Sequence, residues 1–260
     1  MAPFKHSGGP PSRHTPARTG PAVAPATKRR VRFDEHRSMG TLYLVRHGQA
    51  SFGADDYDQL SELGWRQSLR LGQHLAHRGL KFDAVLTGTL RRHAQTWAGI
   101  AEGAGLNLQP VVWPGLDEYD SHALIAAIHP QPLEAPDTPE RYRHHFRLLR
   151  HGLAQWMAGA TQPRGMPSYA AFAQGVTQAL DHVRRDHVGH VLLVSSGGPI
   201  ATAVGQVLGM PPEHTIELNL RIRNSALTEF AFNPKRHALL TFNTLPHLDP
   251  RDDADWITFA

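Results

Sequence analysis

The stretch Thr41-Leu42-Tyr43-Leu44-Val45-Arg46-His47-Gly48 constrains this chain more than any other. Five uncharged residues, three of them aliphatic, predict a strand buried on both faces, as in parallel sheets. The run then stops on an arginine, a histidine and a glycine. A strand that ends this way delivers its last side chains to the carboxyl edge of the sheet, where open α/β folds bind ligands. Arg46 can fork onto phosphate oxygens. His47 can act as nucleophile or base near neutral pH, and Gly48 lets the backbone turn tightly beside a ligand. An isolated Arg-His pair also fits a strand end with two solvated side chains, so the rest of the chain has to decide.

Phe82 to Thr87 predicts a second strand, and His190 to Val194 a central buried one followed by a helix over 198–208. Another helix opens near Leu90 with Arg91 and Arg92 in its first turn. Cationic side chains oppose the helix dipole there, but the same turn's unpaired amides attract anions, so a guanidinium beside them makes a phosphate site. Ser61 reads as the N-cap of a helix whose Trp65, Leu69, Leu71 and Leu75 form an apolar stripe ending near Gly79. His74 and His77 lie at i and i+3 on it; with no third ligand near, they are expected at the surface rather than on a metal.

Leu108 to Trp113 is expected as a third strand, leading into Leu116-Asp117-Glu118-Tyr119-Asp120. Three carboxylates in four residues suit a solvated loop or a cation. Residues 121–187 are expected to be helical, broken at 130–139 and near 163–167. Arg141, Arg143, His144, His145, Arg147, Arg150 and His151 form either a solvated basic face or a contact for an anionic substrate. Asn224 to Phe232 alternates like a strand, Asn233-Pro234-Lys235 turns, and Ala238 to Phe242 pairs back as an antiparallel edge. The last dozen residues are polar and expected to fray.

Composition excludes several classes. With no cysteine there is neither a disulfide nor a thiolate metal site, which suits a reducing cytoplasm, the expected location. No apolar run approaches the ~18 residues of a membrane span. Residues 1–38 hold 8 of the 27 basic and 2 of the 23 acidic residues, so residues 39–260 are slightly acidic and no nucleic-acid binder. That Pro-, Gly- and Arg-rich first stretch has no apolar period and is expected to be a disordered tail ahead of one domain over 39–260. It faintly resembles a transit peptide, but an inert tail, or a true start at Met39, is the preferred reading.

Arg46-His47-Gly48 resembles the first motif of the histidine phosphatase superfamily, whose members look like phosphoglycerate mutase. Leu90-Arg91-Arg92-His93-Ala94-Gln95-Thr96 matches that family's Leu-x-Arg-x-x-Gln-Thr, and Leu116-Asp117-Glu118 its Leu-x-Glu. Val191 to Gly198 matches the aliphatic strand that precedes Ser-His-Gly. The resemblance spans about residues 41–232 and implies a three-layer α/β/α fold with a mostly parallel sheet, and a cap over about 121–167. It also implies phosphoryl transfer without metal or organic cofactor. His47 is the nucleophile, Arg46 and Arg92 bind phosphoryl oxygens, and Glu118 protonates the leaving group. Gln49, Ser51, Ser196 and Gly197 are expected to contact substrate.

The sequence departs from the family at three places. Ser196 stands where the second active-site histidine is expected, and a hydroxyl can donate one hydrogen bond but carry no positive charge. Ala50 and Gly53 replace the usual hydroxyl and asparagine of the loop after the nucleophile. His93, His122, Arg221 and Arg223 are candidates to compensate. The expected activity is hydrolysis of a small-molecule or protein phosphate ester. The alternatives are a weak or inactive relative that binds such a ligand, mutase-type transfer, and a serine hydrolase built on Ser196. The last has Val194 where a nucleophile elbow needs glycine.

Overall fold

The computed structural model describes residues 39–51, 58–134 and 137–259. The expected tail over 1–38 and the Gly53 departure lie outside these residues. Six strands form one sheet in the order β3-β2-β4-β1-β5-β6, from β1 (Gly40–Arg46), β2 (Ala84–Thr87), β3 (Val111–Val112), β4 (Gly189–Ser195), β5 (Leu227–Asn233) and β6 (Arg236–Thr244). β1 to β4 are mutually parallel where they pair, and β5 and β6 add an antiparallel edge beside β1.

The continuous aliphatic runs of β1 and β4 follow from their central place, with both faces covered. Leu42 and Leu44 face one apolar layer shared with Leu193, Val183 and Val204; Tyr43 and Val45 face another with Leu71, Leu75 and Ile100. Helices α1 (Glu62–His77) and α2 (Arg91–Ala104) therefore cover one face, and α5 (Tyr169–Asp186) and α6 (Gly197–Leu208) the other. This is the three-layer α/β/α architecture with a mostly parallel sheet. Helices α3 (Ser121–Ile128), α4 (Pro139–Met157) and α7 (Pro212–Asn219) build a separate aromatic-aliphatic cluster on Leu124, Leu153, Trp156 and Ile216. No helix among the described residues is long and apolar enough to cross a membrane.

Several local expectations need correction. The third strand shrinks to the exposed pair Val111–Val112, because an edge strand needs few partners. The strand expected from Asn224 begins only at Leu227; Ser225 takes a left-handed φ of 55° and its N–H donates to the His47 carbonyl. Of the last dozen residues, the described ones, 249–259, do not fray. Asn224 N–H donates to the Thr258 carbonyl, Gln67 Nε2 to the Trp256 carbonyl and Thr258 Oγ1, and Asp253 is buried. Those polar residues satisfy buried polar partners, a need that hydropathy alone does not register.

The basic cluster on α4 is largely matched by local carboxylates: Arg141 by Glu134 and Asp137, Arg143 by Glu140, and Arg150 by Glu217. That favours the solvated-face reading over a contact for substrate.

Candidate active site

Register brings the motifs together. β1 pairs with β4 so that Arg46 lies beside Ser195, and the next residues, His47 and Ser196, leave adjacent strands at the same edge. β2, on the far side of β4, hands over through Gly88 and Thr89 to α2, whose first turn carries Arg92 and His93. Ser195 Oγ donates to the Leu116 carbonyl at 2.6 Å, pinning the Glu118 loop against the end of β4.

His47 is 3% exposed, and its Nδ1 lies 2.7 Å from the Gly48 carbonyl oxygen. A carbonyl only accepts, so Nδ1 carries the proton and the lone pair is on Nε2. Burial, then the charges of Arg46 and Arg92 and the neighbouring His93, hold its pKa well below the ordinary value. A neutral imidazole with Nε2 available is the nucleophilic form. The backbone beneath it is fixed from both sides: the His47 carbonyl accepts from Ser225 N–H and Asn224 Nδ2, and Gly48 N–H donates to Thr96 Oγ1 at 3.0 Å.

Arg46 donates to the Ile222 carbonyl through Nη1 and is 5% exposed. Arg92 is 7% exposed and meets Asp58 at 2.8 Å. The second oxygen of Asp58 accepts the Arg91 N–H at 2.9 Å, supplying the helix cap that Leu90 cannot. One carboxylate thus spans the arginine and the helix start that were expected to hold an anion.

The three carboxylates of the acidic loop separate into three tasks. Asp117 accepts from the backbone and hydroxyl of Thr89, and Asp120 caps α3 through the His122 and Ala123 amides. Glu118 alone turns inward. It accepts from Gly198 N–H at 3.2 Å through both oxygens and from Tyr119 N–H at 3.2 Å. Burial raises its pKa above the usual carboxylate value, against the pull of the Gly198 amide, Arg92 and Arg46. An added Cβ at Gly198 would fall 2.2 Å from Glu118 Oε1, so that glycine makes room for the carboxyl.

Ser196 is fully buried, and its Oγ lies 2.7 Å from His93 Nε2. Of the four candidates to compensate for the missing histidine, His93 alone makes this contact. Arg223 is turned onto Asn243, Arg221 is exposed beside Glu217, and His122 is exposed. Gly197 starts α6 beside Glu118, with an added Cβ 3.8 Å from Oε2. The backbone amides of Gln49 and Ser51 are spent elsewhere, on Gln67 and the Gln59 carbonyl, and Gln49 Oε1 accepts from Ser61. Sequence reasoning left Gln95 and Thr96 without a task. Here Gln95 Oε1 accepts Leu60 N–H and Thr96 links Gly48 to Arg92, so both brace the loop behind His47. Among the described residues no group of three or more His, Asp or Glu that could hold a metal ion occurs.

The fold is found among solved structures. The mycobacterial glucosyl-3-phosphoglycerate phosphatase superimposes with a TM-score of 0.57 at 23% identity, covering 79% of this chain and 99% of that one. Phosphoserine phosphatase of Entamoeba histolytica, in a complex with 3-phosphoglyceric acid, gives 0.55 at 22%, covering 81% and 100%. A 2,3-bisphosphoglycerate-dependent phosphoglycerate mutase of Rhizobium etli is 35% identical over 89 residues, 32% of this chain and 43% of that protein. The match thus spans less than half the length of that curated relative. The model of the histidine phosphatase superfamily (branch 1) matches residues 42–245, and the chain belongs to that superfamily.

Proposed function

We propose that this chain is a phosphomonoesterase working through a phosphohistidine at His47. The observation that carries the reading is the neutral, Nδ1-anchored imidazole beside two buried arginines, together with a partly buried carboxyl whose pKa is raised. His47 Nε2 attacks phosphorus; the P–N bond forms as the ester P–O bond breaks, and Glu118 gives its proton to the departing oxygen. The phosphoimidazolium keeps its Nδ1–H on the Gly48 carbonyl. Water then attacks phosphorus, Glu118 takes the water's proton, and phosphate leaves with His47 and Glu118 restored. Arg46 and Arg92 stabilise the charge spread over the equatorial oxygens.

Hydrolysis is preferred to mutase transfer because Ser196 removes a group from the pocket that must return the phosphoryl to an acceptor. The substrate is a small-molecule or protein phosphate ester, no nucleic acid or membrane is involved, and residues 39–260 act as one domain with the 121–167 segment as its cap. A serine hydrolase is disfavoured: Val194 stands where a nucleophile elbow needs glycine, and the Arg46-His47-Gly48 strand end would be unexplained.

The test is phosphate release from p-nitrophenyl phosphate by the full chain beside His47→Ala, with base-quenched samples probed for acid-labile phosphohistidine. Turnover and phosphoenzyme that vanish in the variant are expected. A folded protein with neither would overturn the reading.

A further inference from the structure

Phosphoryl transfer through His47 and Glu118 leaves a buried group beside the His47 ring without a task. His93 is 0% exposed, its ring centroid is 5.9 Å from that of His47, and its Nε2 meets Ser196 Oγ at 2.7 Å. Its Nδ1 faces Asp117, 3.8 Å from Oδ1 and beyond hydrogen-bond reach, and no described residue satisfies that nitrogen. Such a ring could be core filler, but an apolar side chain would fill the space without burying an unsatisfied nitrogen. The site is also shaped for it. A Cβ added to Gly88 would fall 2.3 Å from His93 Nδ1 and 2.5 Å from Asp117 Oδ1, so the missing side chain at 88 makes room for both.

The position His93 reaches is the one where the superfamily pattern calls for a histidine and this chain has serine. α2 delivers His93 to the end of β4 from the opposite side, so an imidazole returns to the neighbourhood on a different element, in contact with the Ser196 hydroxyl and beside the His47 ring. We propose that His93 orients Ser196 Oγ as a hydrogen-bond donor to the transferring phosphoryl group, so that the Ser196–His93 pair does the work of the absent second histidine. This rests on the phosphatase reading.

The proton count fixes what the pair must do. A serine hydroxyl has one proton and two lone pairs. If that proton goes to His93 Nε2, nothing is left for phosphate. If Nε2–H donates to Oγ, the hydroxyl proton turns into the site. Burial and Arg92 lower the His93 pKa to about 3, so the ring acts as a neutral donor rather than as a cation. His93 is therefore a positioning residue acting through Ser196, and its effect depends on a donor at Nε2 and not on charge.

The experiment uses full-length protein and p-nitrophenyl phosphate, with kcat, KM and the rate of phosphohistidine formation measured for four variants. Ser196→Ala and His93→Leu should each lower kcat about 10²-fold, the usual loss for one pre-organised donor, with KM changed by less than about threefold. The double variant should be no worse than the poorer single one within about threefold, because both remove the same hydrogen bond. His93→Gln, whose amide can donate from near the Nε2 position without charge, should retain activity within about tenfold.

An active parent with Ser196→Ala and His93→Leu both near its rate would overturn the inference and leave the phosphatase reading standing. So would losses that multiply in the double variant, or a His93→Gln as poor as His93→Leu. If His93→Leu does not fold by circular dichroism, Ser196→Ala and His93→Gln decide by the same criteria. A parent with no turnover and no phosphoenzyme removes both readings together.

Discussion

Replacing Glu118 with glutamine separates proton donation from every other task of that side chain. Glu118 accepts Gly198 N–H equally at both oxygens and Tyr119 N–H at Oε1, each at 3.2 Å. A glutamine can place its carbonyl at Oε1 and keep both amides satisfied. Its NH₂ then sits where Oε2 was, facing the shared Gly198 N–H, at a cost of about 1 kcal/mol or less. Fold and pocket shape should therefore survive, and only the transferable proton is lost.

General acid catalysis is worth about 10²–10⁴-fold when the leaving oxygen needs a proton. For an alkyl phosphate, Glu118→Gln should cost about 10²–10³-fold in kcat/KM, equivalent to about 2.7–4 kcal/mol. p-Nitrophenolate leaves without help, so its ester should lose about tenfold or less. The assay is steady-state kcat/KM for both esters in parent and variant, with thermal melting as the fold control. Equal losses on the two esters would refute the assignment, since a positioning role does not depend on how well the leaving group departs.

Three further outcomes rest on the same geometry. Because Glu118 must be protonated and its pKa is raised, kcat/KM for the alkyl ester should fall as pH rises through that raised value; because the His47 pKa is lowered, no acid limb should appear near 6.5. Buried His93 and His247 each hold their pKa at about 3 against about 6.5 when unfolded, so the unfolded state binds the extra proton between those values. Stability should be intact above about pH 6.5 and decline toward pH 3, by up to ~1.4 kcal/mol per pH unit for each ring, read as falling urea midpoints; midpoints that hold steady from pH 7 to 4.5 would contradict this. Gly48→Ala would place a Cβ 2.3 Å from the Gly64 carbonyl oxygen. It should destabilise the protein by about 1–3 kcal/mol and impair phosphoenzyme formation as well, since the clash displaces the nucleophile's own turn; a melt and rate both equal to the parent would show that the turn relaxes freely.

Much of this protein is legible in the one-dimensional chain, because the features concerned are local. The uncharged run before Arg46 and that of β4 mark central strands, since only a strand covered on both faces tolerates such continuity. Ser61 caps α1 as its identity predicts, accepting from Gly64 N–H at 3.0 Å. Arg46, His47, Arg92 and Glu118 lie at strand ends, a helix start and a loop, and the sheet's topology brings such places to one edge.

What the sequence could not decide is which distant side chains meet. His93, His122, Arg221 and Arg223 are equivalent as residues beside a motif; the packing of α2 against the end of β4 selects His93 as the partner of Ser196. Asp117, Glu118 and Asp120 are likewise three carboxylates in four residues until Thr89, Gly198 and the first turn of α3 claim one each. The C-terminal segment reads as polar and loose, yet the buried Gln67 Nε2 and Asn224 N–H find their acceptors on Trp256 and Thr258. Periodicity reports which face of an element is buried, and motif spacing reports which residues reach an edge. Pairing between polar groups far apart in the chain is settled by register and helix packing, and the contact between Ser196 and His93 is such a pairing.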